Sequence, residues 1–314
     1  MSKDSNKPLE LYAMSTSPRH LPPDWNPPAP AWAASFEQQT TPVVMAYFGT
    51  QLKTKNEQRT DLQLQEFFAS GDAPDNLENA AFIDRAGYRN LISSAYWTDP
   101  ADYEQWREKS GFEAWWSDQK RLDDRRGHYR EVLTVPPSRF ETIFSYNCQV
   151  GVAKTGGCPV VGRRLRINVP ENLAVIRSGQ DWTDCAGTEL AQYDDSVRPA
   201  LVEGMTFLRD HPDETGCCDL RFADETSHDG APLKKSFGLG YFLTLGHLEK
   251  WAATHPTHLA IFSKFLTMAR EHGANLKLKL WHEVSVLPAA GQVFEYVNCH
   301  PGTGLLPYFV SEEW

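Results

Sequence analysis

The stretch LKLKLWHEVSV, residues 276–286, governs how the rest of the chain is read. Its alternation is that of a β-strand. Leu276, Leu278, Leu280, His282, Val284 and Val286 fall on one face, and Lys277, Lys279, Trp281, Glu283 and Ser285 on the other. A single residue interrupts the aliphatic row. A buried imidazole needs a partner, because an unsatisfied buried polar group costs about 1–3 kcal/mol. His282 is therefore either a core histidine bonded to a carbonyl or carboxylate, or a metal ligand in its neutral form.

Outward from this strand, both element types recur. A helix runs from Pro256 to about His272 and stops at Gly273, a good C-cap. Another starts near Thr244, with Leu245, Leu248 and Trp251 spaced by three. Strands are expected at 217–224 and 234–242, a helix over 189–209, and a strand from Leu173 to Arg177. In the first half, strands read at Val43–Phe48, Leu91–Trp97, 129–135 and 139–146, with a helix over 56–70. Asp99 suits an N-cap and Pro100 the first turn of a helix carrying Tyr103 and Trp106. A last strand is expected at 292–298. Residues 1–35, with five prolines between 22 and 30, read as an extended arm. Residues 147–163, NCQVGVAKTGGCPVVGR, are loose and glycine-rich and read as a connection between halves.

The halves echo each other at an offset of 145: Tyr96, Glu104 and Trp106 correspond to Tyr241, Glu249 and Trp251. The order strand, helix, strand, strand, helix occurs twice. This predicts an α+β protein of two packed ferredoxin-like modules, over 36–146 and 171–314, joined by 147–170. No glycine-rich phosphate loop follows an early strand, which argues against a doubly wound parallel sheet.

Composition narrows the function. The 314 residues carry 31 Lys+Arg against 41 Asp+Glu, a formal charge of −10, with no basic patch for nucleic acid or an anionic membrane. No apolar run approaches the ~18–20 residues of a membrane span. The six cysteines form no Cys-x-x-Cys pair, which predicts free thiols in a reducing cytoplasm. Ten tryptophans must line a core or a pocket.

Four places can carry chemistry. His255 and His258 lie at i, i+3, but Pro256 breaks their shared face and no acidic third ligand matches. They read as capping or packing residues. Haem needs only one axial histidine, so His282 alone suffices for it. His300 follows a strand and opens a Pro-Gly-Thr-Gly loop, either as an acid–base group or as a surface histidine. Neighbouring Cys299 has no cationic neighbour and reads as a small buried residue. Ser178 precedes Gly179 but lacks a Gly-x-Ser-x-Gly elbow, so it is a substrate hydrogen-bond donor or a turn serine.

Several runs in fixed order resemble one family. They are Asn172–Trp182 (NLAVIRSGQDW), Gly204–Asp210 (GMTFLRD), Trp251–Phe262 (WAATHPTHLAIF), His282–Val286 (HEVSV) and Val293–Gly304 (VFEYVNCHPGTG). Shorter matches occur at Pro27–Trp32, Val43–Gly49, Tyr96–Pro100, Trp115-Trp116, Arg121-Leu122 and Phe140-Glu141-Thr142. Over about residues 20–308 the chain resembles the haem-containing aldoxime dehydratases, the phenylacetaldoxime type above all. That resemblance implies a lyase converting an aryl- or alkyl-aldoxime to a nitrile and water, using ferrous haem b that binds the oxime nitrogen. It implies a fold like the dimeric α+β barrels and the chlorite dismutase group, and a cytoplasmic homodimer. By the same resemblance His282 is the axial haem ligand, His300 the distal acid–base histidine, Ser178 the donor to the oxime hydroxyl, and Glu141 a distal acid. The family carries a longer segment after the strand at 139–146, with a Gly-Tyr-Trp-Gly-Ser-Met-Arg-Asp-Arg-like run. Here the connection is short and has no such run, so the distal arginine has no matching position. A haem store or sensor without catalysis, and a peroxidase-like enzyme on the same scaffold, are the alternatives.

Overall fold

The computed structural model describes residues 32–33, 41–52, 62–70, 72–124, 126–140, 143–144, 163–300 and 302–314. The strands are β1 (Trp32–Ala33), β2 (Val43–Leu52), β3 (Asn76–Ile83), β4 (Arg89–Trp97), β5 (Gly127–Val135), β6 (Ile143–Phe144), β7 (Arg164–Ile167), β8 (Leu173–Asp181), β9 (Cys217–Thr226), β10 (Pro232–Phe242), β11 (Lys279–Leu287), β12 (Val293–Val297) and β13 (Ser311–Glu313). The helices are α1 (Leu62–Phe68), α2 (Pro100–Lys109), α3 (Phe112–Ser117), α4 (Gly187–Gln192), α5 (Arg198–Asp210), α6 (Pro212–Thr215), α7 (Leu245–Thr254) and α8 (Pro256–His272).

All pairings between strands are antiparallel, in the order β1-β6-β11-β8-β10-β9-β3-β4-β2-β5-β12-β7-β13. The sheet also returns on itself. Just beyond β5, Phe140 bridges to Ser285, and β6 pairs with β11 at Trp281↔Phe144 and His282↔Ile143. The result is a barrel with helices outside. Its interior core joins both halves, from Met45, Tyr129 and Leu133 to Val175, Leu239 and Phe294. Each half then has its own outer layer: aromatic around α1–α3, and mixed apolar around α5, α7 and α8. All ten residues of β2 are buried, because helices cover one face and the barrel core the other.

The α+β class and the two-module frame follow the sequence pattern, and so do the caps. The Asp99 carboxylate accepts from the Ala101 amide at 2.8 Å, and Gly273 ends α8 with φ 52°. The expected helix over 189–209 is α4 and α5 joined by a π-turn at Tyr193–Val197. Pro199 explains the turn, since it has no N–H to close an α-helical bond onto Asp195. The strand expected at 276–286 begins only at Lys279. Trp281, Glu283 and Ser285 are buried on the barrel side and Val284 and Val286 on the other, while His282 between them keeps accessible surface. Two segments cross between the halves: β6 joins the second half's sheet, while β12 and β7 extend the first half's sheet beyond β5. The N-terminal arm before Trp32 and the connection up to 162 lie outside the described residues.

The offset echo is real in three dimensions. Tyr96 and Tyr241 both send hydroxyls into the barrel, to Glu283 at 3.2 Å and Glu131 at 2.8 Å. Trp106 and Trp251 are both buried in outer layers, on α2 and α7. The Glu131 carboxylate also receives Arg221 through two bonds of 3.0 Å and Tyr296 at 2.8 Å, so all its acceptor sites are filled at the barrel centre. No helix among the described residues is long and apolar enough to cross a membrane.

Candidate active site

Ser178 and His282 stand directly opposite each other in the β8–β11 pairing. Opposed residues of an antiparallel pair project from the same face with Cβ atoms about 5 Å apart. That face is the outer one. Two and four residues away on the same strands, Val284 and Ala174 pack with Leu201, Met205, Leu248 and Trp251 under α5 and α7.

Ser178 is not in a turn, as its glycine neighbour suggests, because β8 continues to Asp181. Gly179 is there for a different reason. A Cβ on it would lie 1.9 Å from Cζ2 of Trp281, so the glycine makes room for the indole on the inner face. This flat crossing lets β8 and β11 run in register past Ser178 and His282.

His282 combines two properties. Its side chain keeps accessible surface, yet protein surrounds it so fully that burial pushes the imidazole down to about 4. A group of that kind lines an internal space rather than the outside of the molecule. The charge that would form on His258 lowers it further, which places that second imidazole close by. His258 reaches in from the first turns of α8, with its ring 4.8 Å from that of Trp251. Burial pushes its imidazole below the ordinary value too, partly offset by the Ala252 main chain. Its Nδ1 is buried without a well-formed hydrogen bond.

The internal repeat supports this opposition. With Tyr96 and Tyr241 superimposed, the strand registers assign Phe48 to Ser178, Ser93 to Gly238 and Arg130 to His282. The same offset of 145 assigns Glu113 to His258. In the first half Glu113 and Arg130 touch across the layer, Oε2 to Nη1 at 2.7 Å. In the second half two imidazoles take those places.

His258, which reads from the sequence as a packing residue, is the second buried imidazole near Ser178 and His282. Its partner His255 is indeed a cap: the imidazole Nδ1 accepts from the Thr257 amide at 3.3 Å. The offset that maps Glu113 onto His258 was the signal available. Haem needs only one protein ligand, and among the described residues no cluster of three metal-ligating side chains exists.

His300 is not brought to this site. It follows β12, whose neighbours are β5 and β7, and its Nδ1 accepts from the Gly302 amide at 2.9 Å. There it borders a separate cleft whose walls include neither Ser178 nor His282. The imidazole directly opposite Ser178 in the sheet is that of His282. Cys299 is buried and its thiol reaches the His128 carbonyl, as a structural cysteine. Glu141 lies outside the described residues.

The residues fit a haem. Two imidazoles kept neutral by burial are the ligand form iron requires. They lie close enough for the charge on one to affect the other, and Nδ1 of His258 is buried, with the Ala252 main chain of α7 nearby. Fold and site together define a protein with a buried histidine layer between a barrel sheet and its outer helices, of a kind that fits haem.

Comparison with known proteins agrees. The model of the haem-containing dehydratases matches residues 46–161 and 150–305. The aliphatic aldoxime dehydratase of Rhodococcus erythropolis is 34% identical, over 94% of this chain and 95% of its own. The phenylacetaldoxime dehydratase of Bacillus sp. (strain OxB-1) is also 34% identical, over 94% and 96%. A crystal structure of an aldoxime dehydratase in complex with butyraldoxime superposes with a TM-score of 0.85 at 32% identity, covering 95% of each chain. This chain belongs to the haem-containing dehydratase family. The alignment to the R. erythropolis protein runs over 340 positions, more than the 314 residues here, so that relative carries residues this chain lacks.

Proposed function

We propose that this protein is a haem-dependent lyase that converts an aldoxime, R–CH=N–OH, into the nitrile and water. One observation carries the assignment of roles: Ser178 and His282 share one wall, and His258, on α8, belongs to a different element close to His282. A residue that would hold haem iron and a serine that would orient the substrate are expected on different walls of the site. Ser178 and His282 project the same way, so His258 is the residue that would hold the iron, and His282 is free to handle protons.

Bound haem supplies an electron-rich ferrous iron at which the oxime nitrogen binds and its bond to oxygen weakens. The chain's own residues do the rest. Ser178 donates to the oxime hydroxyl and fixes its direction. His282, a neutral imidazole, takes the proton from the oxime carbon and delivers it to the departing oxygen. The C–H and N–O bonds break, the C≡N bond is completed, and water leaves with no net proton change. General acid–base help of this kind is worth roughly 10²–10⁴-fold. Burial lowers the proton affinity of this imidazole and favours its neutral form.

Relatives named for aliphatic aldoximes and for phenylacetaldoxime match at the same identity, so both substrate types belong to the reading. The four described cysteines, Cys185, Cys217, Cys218 and Cys299, are free thiols, which supports a reducing cytoplasm. We place the protein there as a homodimer. Exposed apolar side chains on α8, Leu259 and Phe262, support the pairing.

The test is nitrile formation from phenylacetaldoxime and butyraldoxime by haem-reconstituted protein, reduced with dithionite under anaerobic conditions, against haem alone. His258→Ala should lose haem, and His282→Ala should keep the haem spectrum and lose turnover. The opposite pattern, with haem lost from His282→Ala and retained by His258→Ala, would return the iron to His282.

A further inference from the structure

The strands that carry Ser178 and His282 are also tied together on their other face. In the β8–β11 pairing, the rung next to Ser178↔His282 is Arg177↔Glu283. Arg177 is fully buried on the barrel side. Its guanidinium carbon lies 4.4 Å from the ring centre of Phe237, an interior core residue, and 5.5 Å from that of Trp281. Its Nη1 stands 3.6 Å from Oε2 of Glu283. Trp281 in turn fills the space over Gly179. The two chain neighbours of Ser178 are thus locked onto the two chain neighbours of His282.

This rung is anchored from the first half. Nη2 of Arg177 donates to Oε2 of Glu78 on β3, and the Tyr96 hydroxyl of β4 donates to Oε2 of Glu283 at 3.2 Å. Glu225 of β9 stands 3.6 Å from the same guanidinium. The repeat shows how far this departs from ordinary barrel filling. In the first half Glu131 holds the place of Glu283, and Tyr241 donates to it as Tyr96 donates to Glu283. The place of Arg177, however, belongs to Tyr47, and the arginine that reaches Glu131 comes from β9, as Arg221. Of these two equivalent rungs, the one behind Ser178 and His282 carries both charges on the site strands themselves. A buried ion pair adds little stability, since desolvation offsets its attraction, and its best-attested use is to fix register. Register is decisive here: a slip of one residue turns every side chain of a strand to the opposite face.

We propose that Arg177 and Glu283 are positioning residues which, held from the barrel side by Glu78 and Tyr96, keep Ser178 opposite His282. This rests on the lyase reading above. Both side chains lie across the sheet from the site, so they act through the strands and touch neither substrate nor haem.

The experiment compares three variants with the native holoenzyme. Tyr96→Phe deletes the hydroxyl that donates to Glu283. Tyr241→Phe deletes its counterpart on Glu131, whose strand carries no site residue. Arg177→Lys keeps the charge but loses the planar fork held between two rings. A misplacement of ~1 Å can cost about 10²-fold in rate. Arg177→Lys should therefore lower kcat about 10²-fold and Tyr96→Phe about 10-fold, with KM within about twofold and haem content unchanged. Tyr241→Phe should leave kcat within about twofold. A second readout needs no turnover. In the ferrous, carbon-monoxide-bound protein with isotope-labelled histidine, the His282 resonance is identified by its loss in His282→Gln. It should shift or broaden in Tyr96→Phe and stay in place in Tyr241→Phe. Unchanged kcat in Tyr96→Phe would overturn the proposal. So would equal losses in the two tyrosine variants, as a general loosening of the barrel. If Arg177→Lys does not fold, the tyrosine pair decides alone. If the native protein forms no nitrile, yet its His282 resonance answers to Tyr96 and not to Tyr241, the lyase reading fails and the positioning stands. Nitrile formation with kcat indifferent to Tyr96 and Arg177 gives the reverse.

Discussion

The two outer layers of this barrel are built on the same frame and filled in opposite ways. In the first half, the place of Ser178 belongs to Phe48, whose ring lies 5.0–5.6 Å from Phe112, Trp106 and Phe68. The place of His282 belongs to Arg130, tied to Glu113 at 2.7 Å and Glu295 at 2.8 Å. Aromatic pairs contribute about 0.5–1.5 kcal/mol each beyond their burial, so this layer is a stability element. In the second half the same positions carry a serine and two imidazoles, and a glycine stands where the first half has Ser93. One copy of the module gives up its packing and gains a site. A duplicated fold can support this because the filled copy holds the barrel.

Four predictions probe that contrast, from the largest expected effect down. Ser178→Phe rebuilds the first half's filling in the second. It should abolish haem retention and reduce nitrile formation by more than ~10³-fold, beyond the loss of a single hydrogen bond, with the thermal midpoint preserved. Haem absorbance per mole and a thermal melt check it, and normal haem content would break the equivalence of the two positions. Phe48→Ser makes the reverse change. It should cost about 3–5 kcal/mol in urea denaturation, as large-to-small aromatic truncations do, while activity per folded holoenzyme stays within about twofold.

Glu113→Gln tests the ion pair that stands where the imidazoles meet. Burial alone would raise the Glu113 carboxyl, but Arg130 and Arg107 more than reverse this and hold it at about 2 against an ordinary 4.5. A depressed carboxyl stabilises the fold fully above its unfolded value and loses that contribution as pH falls through the folded one. With allowance for solvent screening of a partly exposed pair, the variant should be less stable by about 1–2 kcal/mol at pH 7. The gap should close between about pH 4.5 and 2. A gap that stays constant over that interval would mean the ion pair contributes nothing. His300→Ala should have the smallest effect, leaving kcat within about threefold, as expected for a partly exposed group outside the site. A loss of 10²-fold or more, the size of general acid–base help, would put His300 back in the chemistry.

How much of this the sequence made legible depended on how local the signal was. The alternation of LKLKLWHEVSV put His282 on the same face as Val284, as the strand does, because period two is a local property. Ser178 was singled out, but its setting was misread. The reason for Gly179 is the Trp281 indole across the strand pair, about a hundred residues away in sequence. His258 was visible only through the repeat, since its partner is set by helix-on-sheet packing. Strand β3, NLENAAFI, shows no clean alternation, because its neighbours come from both halves. The exchange of β6 and β12 left no local trace, as register between distant segments never does.

That exchange has a consequence for how the molecule is made. The edge of β5 is completed by β12, at Val132↔Val293, with about 160 residues between the two partners. At ~5–20 residues per second, a ribosome needs about 8–30 s to add them. Throughout that interval the nascent first half carries an unpaired strand edge, a template for wrong partners. The filled half is synthesised first, yet it cannot close before the end of the chain emerges, so both halves are finished together in one late step.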